Sequence, residues 1–461
     1  RELENTTREL QMMQTPNGGF AWFKGMPDDR FITQYILTGI GRLLHLGISE
    51  VNQDPRLLAI VERALPYLDQ RIKEDYQYLL KHKANLKLAQ ISTLQIHYLY
   101  MRSYFLQHEI SGDCKTAFQF YKKQAADFWL QHNKQSQAMI SLIMERDQNH
   151  GKASAILQSL RENAIRSEEM GMYWKDNRQS YWWYEAPVET QSMLVEAFQE
   201  VGGSNIEVDE LKIWLLKNKQ TQHWSTTKAT ADACYALLLQ GNDWLVQEPK
   251  VKIQLGDRRI SSETEQKEAG TGYFKLHIKG GDVNAAMGQI KVDVDGKGIG
   301  TSWGAVYWQY FEDLDKIKFA ETPLSLRKEI YVERNSAQGP VLTKVSEQMP
   351  LHVGDKLKAR IELRVDRDME YVHLKDLRGS GFEPVNVFSE FKFQGGLGYY
   401  ESTRDVATDF FISYLPKGTY VFEYDLRANN KGEFSMGIST MQCMYAPEFS
   451  SHSTGERIEI K

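Results

Sequence analysis

The chain has 461 residues, 41% hydrophobic and 25% charged, the balance of a globular protein with room for about two to four domains. Its formal net charge of −5 is spread without a block of like charge, which excludes the basic footprint of a nucleic-acid or anionic-membrane binder. No apolar run approaches the roughly 18 residues needed to span a bilayer.

The chain opens at Arg1 with neither a Met nor a signal peptide, and is read as a fragment or processed form. Up to about Gly241 the periodicity predicts helix after helix, roughly eleven with short loops and no strand among them. Ile32, Tyr35, Ile36, Ile40 and Leu43 recur at helical spacing, as do Ile91, Leu94, Tyr98, Met101 and Phe105. Phe118, Tyr121, Ala125, Phe128 and Trp129 form a third stripe, and Val208, Leu211, Trp214 and Leu215 a later one. Asp54-Pro55 pairs an N-cap with a proline at the first helical position.

Three stretches of this half share a pattern: "NGGFAWFKGMPDDRFITQYILTGIGRLLHLG" from Asn17, "MYWKDNRQSYWWYEAPVETQSMLVEAF" from Met172 and "TQHWSTTKATADACYALLLQG" from Thr221. Each places a Trp in a loop and then a helix whose start carries Thr33-Gln34, Thr190-Gln191 or Thr230-Ala231. Such recurrence marks a helical array, and paired helices of this kind close into an α/α toroid. Trp22, Trp174, Trp182, Trp183 and Trp224 are then expected to be structural joints of the repeat; the competing reading is a sugar platform. Glu185-Ala186-Pro187 should start the inner helix, with Leu194, Ala197, Phe198 and Val201 as its buried stripe. Ala229, Ala233, Ala236 and Leu237 give the last helix a narrow face.

From about Glu248 the period becomes two. Leu357, Ala359, Ile361, Leu363 and Val365 alternate with charged residues, as do Tyr420, Phe422, Tyr424 and Leu426 with their neighbours. That pattern predicts antiparallel sandwich strands with one face in water. Turn signals stand at Gly280-Gly281, Asp295-Gly296, Gly354-Asp355, Pro416-Lys417-Gly418 and Asn430-Lys431-Gly432. A break near Glu321-Thr322-Pro323 separates a small segment of some five strands from a sandwich-sized one. The domains expected are 1–245, 246–321 and 322–461, and the fold class is multidomain α + β, an α/α toroid followed by antiparallel β-sandwich domains.

Chemistry is sparse. Asp28, Asp29, Asp176, Glu185 and Glu189 lie in or beside the Trp loops, where carboxylates cap helices or complement their dipoles; a glycosidase would need two of them facing one site. No HExxH, GxSxG or Walker motif occurs, and "DVDGKG" at Asp293 lacks the acidic twelfth position of a calcium loop. Cys114, Cys234 and Cys443 have no zinc spacing and read as small core residues. No catalytic residue, metal ligand or cofactor is assigned.

The order of parts nevertheless resembles the C-terminal third of bacterial alpha-2-macroglobulins, particularly the Bacteroidetes type. "GGFAWF", "HWSTTKATADACYALL", "WGAVYWQYFED", "YVHLKDLRGSGFEP", "LPKGTYVFEY" and "CMYAPEF" carry the likeness across essentially the whole chain. The resemblance implies a toroidal thioester-type domain, the second half of a CUB-like β-domain, and a terminal macroglobulin-like sandwich. It implies a protease trap, not an enzyme: cleavage of an upstream bait rearranges the protein and exposes a Cys–Gln thioester that tethers the protease. None of the three cysteines stands in Cys-x-Glu-Gln, so that motif is expected upstream or absent. The carry-over marks Met444 and Tyr445 as the residues that shield the thioester from water; packing of the last strands is the alternative role for Tyr445. The implied partners are target proteases and upstream macroglobulin domains, and the implied location is the periplasm or a cell envelope reached through an upstream lipid anchor. Two other readings stay open: a carbohydrate-active enzyme with toroid and sandwich modules, and a thioester-less binding scaffold.

Overall fold

The structure, a computed structural model, describes residues 2–48, 51, 53–177, 186–239, 250–268, 273–295, 304–319, 324–337, 339–346 and 349–461. It mixes helices with several antiparallel sheets and divides into two compact units, residues 1–215 with 224–302, and residues 216–223 with 303–461.

Among the described residues the first half holds ten α-helices. They are α1 (Glu2–Met13), α2 (Arg30–His45), α3 (Pro55–Lys81), α4 (Thr93–Arg102), α5 (Gly112–Phe128), α6 (Lys134–Arg146), α7 (His150–Glu162), α8 (Pro187–Val201), α9 (Asn205–Thr221) and α10 (Thr227–Leu238). Short polar residues start most of them. Asp29, Asp54, Asn133 and Thr226 each accept a backbone N–H of the following turn, and Ser92 with Gln95 forms a full capping box. Pro55 and Pro187 occupy first-turn positions, where their missing N–H costs nothing. Thr33, Thr190 and Thr230 all fall in the first turn of their helices, as the sequence repeat predicts.

The even-numbered helices touch one another in the order α2, α4, α6, α8, α10, while α1, α3 and α5 touch in a second row. Burial separates the two kinds. In α8 every residue from Val188 to Phe198 is buried, whereas α7 buries only Ala153, Ile156, Leu157 and Leu160. A helix buried on all sides lies inside the unit; one with a single buried stripe lies on its surface. In α2 the most buried positions include the polar Thr33, Gln34, Thr38 and Arg42, while Ile32, Ile36 and Leu43 of the predicted stripe are only partly buried. The apolar periodicity located this helix correctly and missed its more buried side.

One expectation fails here. The helical half is interrupted by a short hairpin, β1 (Ile165–Ser167) paired with β2 (Gly171–Tyr173). Three-residue strands are too short to register as a period of two. Gly171, at φ 68°, presses so close to α9 that a Cβ there would lie 2.0 Å from the Glu210 carbonyl oxygen, a place only glycine fits.

Farther along, β3 (Lys250–Leu255), β4 (Arg258–Ser261) and β5 (Ile290–Asp295) form one antiparallel sheet in the order β4-β3-β5. Three strands are described in this segment, where some five were expected.

The second unit is a sandwich. One sheet runs β10-β14-β8-β6-β7 and the other β11-β12-β13-β9-β16-β17, all antiparallel. The strands are β6 (Leu324–Ser336), β7 (Gly339–Lys344), β8 (Lys356–Val365), β9 (Met369–Leu377), β10 (Phe382–Pro384), β11 (Glu390–Gln394), β12 (Leu397–Thr403), β13 (Ala407–Leu415), β14 (Gly418–Ala428), β16 (Ser439–Cys443) and β17 (Ala446–His452). A separate ribbon pairs β15 (Gly432–Ser435) with β18 (Arg457–Ile460). The predicted alternation holds: Leu357, Ala359, Ile361, Leu363 and Val365 are all buried on β8, and Phe422, Tyr424 and Leu426 on β14. Phe410 and Tyr399 of the second sheet meet Phe422 of the first at ring-centroid distances of 5.1 and 5.2 Å, so the two faces interlock. Pro416-Lys417 carries the chain from β13 in one sheet to β14 in the other and so makes no hairpin.

Candidate functional site

Two places concentrate chemistry, one in each unit. In the helical unit the even-numbered helices send polar side chains to a single buried cluster: Arg42 from α2, Tyr100 from α4, Arg146 from α6, Glu196 from α8, and Asp232 with Tyr235 from α10. Glu196 stands at its centre with no exposed surface. Arg146 Nη2 lies 2.7 Å from its Oε1, Arg42 Nη2 3.7 Å from its Oε2, and the Tyr100 hydroxyl donates to Oε2 at 2.5 Å. The Tyr104 hydroxyl donates to Oε1, and Arg42 also binds Asp232. The Arg42 guanidinium stacks over the Tyr235 ring at 4.6 Å and that of Arg146 over the Tyr104 ring at 4.0 Å.

Burial alone would push the Glu196 carboxyl up, but the Arg146 and Arg42 charges and the two tyrosine hydroxyls outweigh it and hold it below the usual range. A carboxylate kept ionised in this way has no proton to donate at neutral pH, so it lacks the raised pKa of a glycosidase acid. Beside it, His97 accepts from Gln34 Nε2 at Nδ1 (3.2 Å) and faces the Thr38 hydroxyl from Nε2 (3.3 Å). Thr38 already donates to the Gln34 carbonyl, which leaves the Nε2–H tautomer. Burial, then the Lys228, Arg42 and Arg30 charges, push its pKa down to about 3, so His97 is neutral.

The carboxylates named from sequence serve structure. Asp29 caps α2 through Ile32 N at 3.0 Å. Asp28 accepts from the Tyr67 hydroxyl and from Asn17 Nδ2, bonds that hold its pKa low. Asp176 pairs with Lys134 at 2.8 Å and Glu189 with Lys228 at 3.4 Å. Glu185 lies outside the described residues, as do Trp182 and Trp183.

The remaining repeat tryptophans are unequal. Trp174 is 2% exposed and donates Nε1–H to the Leu160 carbonyl at 2.9 Å; Trp224 is half-buried against the helical core. Trp22 is 54% exposed and rests on Phe31, while the neighbouring Phe20, 1% exposed, fills the joint in the first copy. Gly18, at φ 96°, lets that loop touch the α3 backbone at Arg63. The sequence reading missed Phe20, Arg42, Glu196 and Asp232; charged residues inside otherwise apolar helix windows were the available signal for the last three.

In the second unit, β16 and β17 form a hairpin whose register slips between Gln442 and Cys443, so that Cys443 faces Ala446 across a two-residue turn. That turn is Met444-Tyr445, 59% and 78% exposed, while Cys443 and Ala446 are buried. Burial pushes the Cys443 thiol up, away from reactivity. Tyr445 therefore stands clear of the strands beneath it and meets only the edge of Tyr371, with ring centroids 5.2 Å apart at 86°, among its ring contacts in the described residues.

A family model described as the bacterial alpha-2-macroglobulin MG10 domain matches residues 324–448, that is, this sandwich down to and including its exposed turn. Over these residues the chain carries a domain of the bacterial alpha-2-macroglobulin MG10 type. The match begins with β6. Among solved structures, the chain is similar to trypsin-activated alpha-2-macroglobulin from Escherichia coli, 13% identical, with 99% of this chain and 29% of that one covered and a TM-score of 0.42. It is similar also to Salmonella alpha-2-macroglobulin reacted with methylamine, 14% identical, covering 98% and 27%, with a TM-score of 0.36. Circularly permutated Ras protein 2 of Dictyostelium discoideum is 24% identical over 112 residues, 24% of this chain and 3% of that protein. The chain thus spans less than a third of the length of these relatives.

Proposed function

We propose that this chain acts as part of a bacterial alpha-2-macroglobulin-like protease trap, an endopeptidase inhibitor and not an enzyme. The observation that carries the reading is the MG10 match over residues 324–448. In this reading the helices up to residue 245 form an α/α toroid of the thioester-domain type, and residues 246–321 contribute strands to a CUB-like domain. The convergence of α2, α4, α6, α8 and α10 on Glu196 supports the toroid, because helices that share one centre are arranged around it. Upstream macroglobulin domains and a bait segment would complete the protein, which would work in the periplasm or tethered to the cell envelope. Met444 and Tyr445 would cover the thioester until bait cleavage; the exposure of both side chains at a hairpin turn supports that role.

The test is capture. The full-length protein is incubated with trypsin, and cleavage of a large protein substrate is compared with cleavage of a small chromogenic peptide. A trap blocks the first and spares the second, since the protease active site stays open. An adduct that survives SDS indicates covalent tethering; capture without one indicates the thioester-less scaffold. Equal cleavage of both substrates, with and without the protein, would overturn the proposal.

A further inference from the structure

Tyr371 is one of three non-glycine residues with positive φ among the described residues, and the only one within a strand, at φ 54° in β9. A bulky aromatic residue is an outlier in the left-handed region, since its Cβ crowds the following carbonyl. Such a conformation persists only where surrounding contacts over-determine it. Here the surroundings are well fixed: Met369 and Val372 are buried on either side, and Cys443 Sγ–H donates to the Glu370 carbonyl at 3.3 Å.

The consequence falls on the hairpin turn. The ladder of β9 with β16 ends at Val372–Cys443, and beyond it the Tyr371 carbonyl accepts the Met444 N–H at 2.9 Å. The pairing of β9 with β13 is also interrupted opposite Tyr371, between Val372–Ile412 and Glu370–Tyr414. The Tyr371 ring, 44% exposed, stands edge-on to Tyr445. Tyr371 and Met444 keep the register of the β9–β16 ladder, so the Tyr371 carbonyl and ring both meet Met444-Tyr445 despite the left-handed backbone. An exposed side chain at a two-residue turn otherwise samples several rotamers, and an edge-to-face neighbour restricts them.

We propose that Tyr371 is the positioning residue for the Met444–Tyr445 turn, its left-handed backbone holding the Met444 amide and its ring orienting Tyr445. The role in shielding rests on the protease-trap reading, while the role in ordering the turn does not. The two are separated by two experiments.

In the 461-residue chain, hydrogen exchange is followed at the Met444 amide. Tyr371→Val, whose branched Cβ shuns positive φ, should accelerate exchange about tenfold, the equivalent of one lost hydrogen bond. Tyr371→Asn, which tolerates that backbone, should exchange as the parent does. Unchanged exchange in Tyr371→Val would overturn the proposal. In the full-length protein, uptake of methylamine before any proteolysis is measured with Tyr445→Gly as the reference. Tyr371→Asn should raise uptake several-fold, and Tyr371→Phe, which keeps the ring, should restore the parental value. Raised uptake in Tyr445→Gly but not in Tyr371→Asn would refute the positioning role and leave the shielding reading intact. Parental uptake in Tyr445→Gly would refute shielding itself and, with it, the part of Tyr371 in shielding.

Discussion

Glu196 binds Arg42 and Arg146 from other helices, Tyr100 of α4 and Tyr104 of the turn that follows α4. Removing its charge leaves two buried arginines with less compensation, the situation in which breaking a buried pair costs about 3–5 kcal/mol. Glu196→Gln is therefore expected to lower the urea midpoint sharply at an unchanged m-value, and an unaltered midpoint would show that the cluster adds nothing. His97 predicts a pH dependence whose sign follows from its neutral burial. Its pKa is about 3 in the folded chain and about 6.5 when unfolded. Between those values the unfolded chain binds more protons, so stability falls as pH drops from about 6.5 toward 3 and is unaffected by this residue above 6.5. His97→Gln should flatten that slope in urea titrations at pH 7.5 and 5; an identical slope would reject the assignment. Neither residue stood out in sequence, because the apolar neighbours of each dominate the helical pattern.

At the scale of elements, β6 shows how a single departure from alternation can be read. Its inward positions run Leu324, Leu326, Lys328, Ile330 and Val332, with a lysine where an apolar residue is due. Lys328 Nζ crosses to the second sheet, 2.8 Å from Asp376 Oδ1, and donates to the Leu377 and Met436 carbonyls. Asp376 also accepts from the Tyr424 and Ser439 hydroxyls. Lys328→Met should cost about 3–5 kcal/mol by stranding that carboxylate, and adding Asp376→Leu should recover part of the loss. A double-mutant cycle with no coupling energy would contradict this. The β1–β2 hairpin teaches the opposite lesson, since nothing periodic announced it. Gly171→Ala, which would drive a Cβ into the Glu210 carbonyl at φ 68°, is expected to destabilise the helical unit by about 2 kcal/mol or more in thermal or urea unfolding. The helix start at Asp54-Pro55 was far more legible: it announces its cap within two residues, and the structure uses it as written.

For the whole molecule, the division into two compact units, each with its own large hydrophobic cluster, predicts separable unfolding. Residues 324–461 contain two sheets and the aromatic layer between them, so that segment expressed alone should show a cooperative transition and a near-ultraviolet signal from Phe422 and Tyr399. A segment that stays unfolded would show that the sandwich depends on the rest of the chain. The sequence by itself determined the change of period near residue 248, the starts of the helices, the inward faces of β8 and β14, and the resemblance that the MG10 match bears out. Those features are local: spacing, caps and turn residues act within a few positions of the chain. Only the tertiary structure decided that Arg42, Tyr100, Arg146, Glu196 and Asp232 share one centre, that Phe20 and not Trp22 fills the first joint, and that Tyr371 lies beneath Tyr445. These groups lie tens to nearly two hundred positions apart in the chain, or differ only in burial, and a one-dimensional period carries neither kind of information.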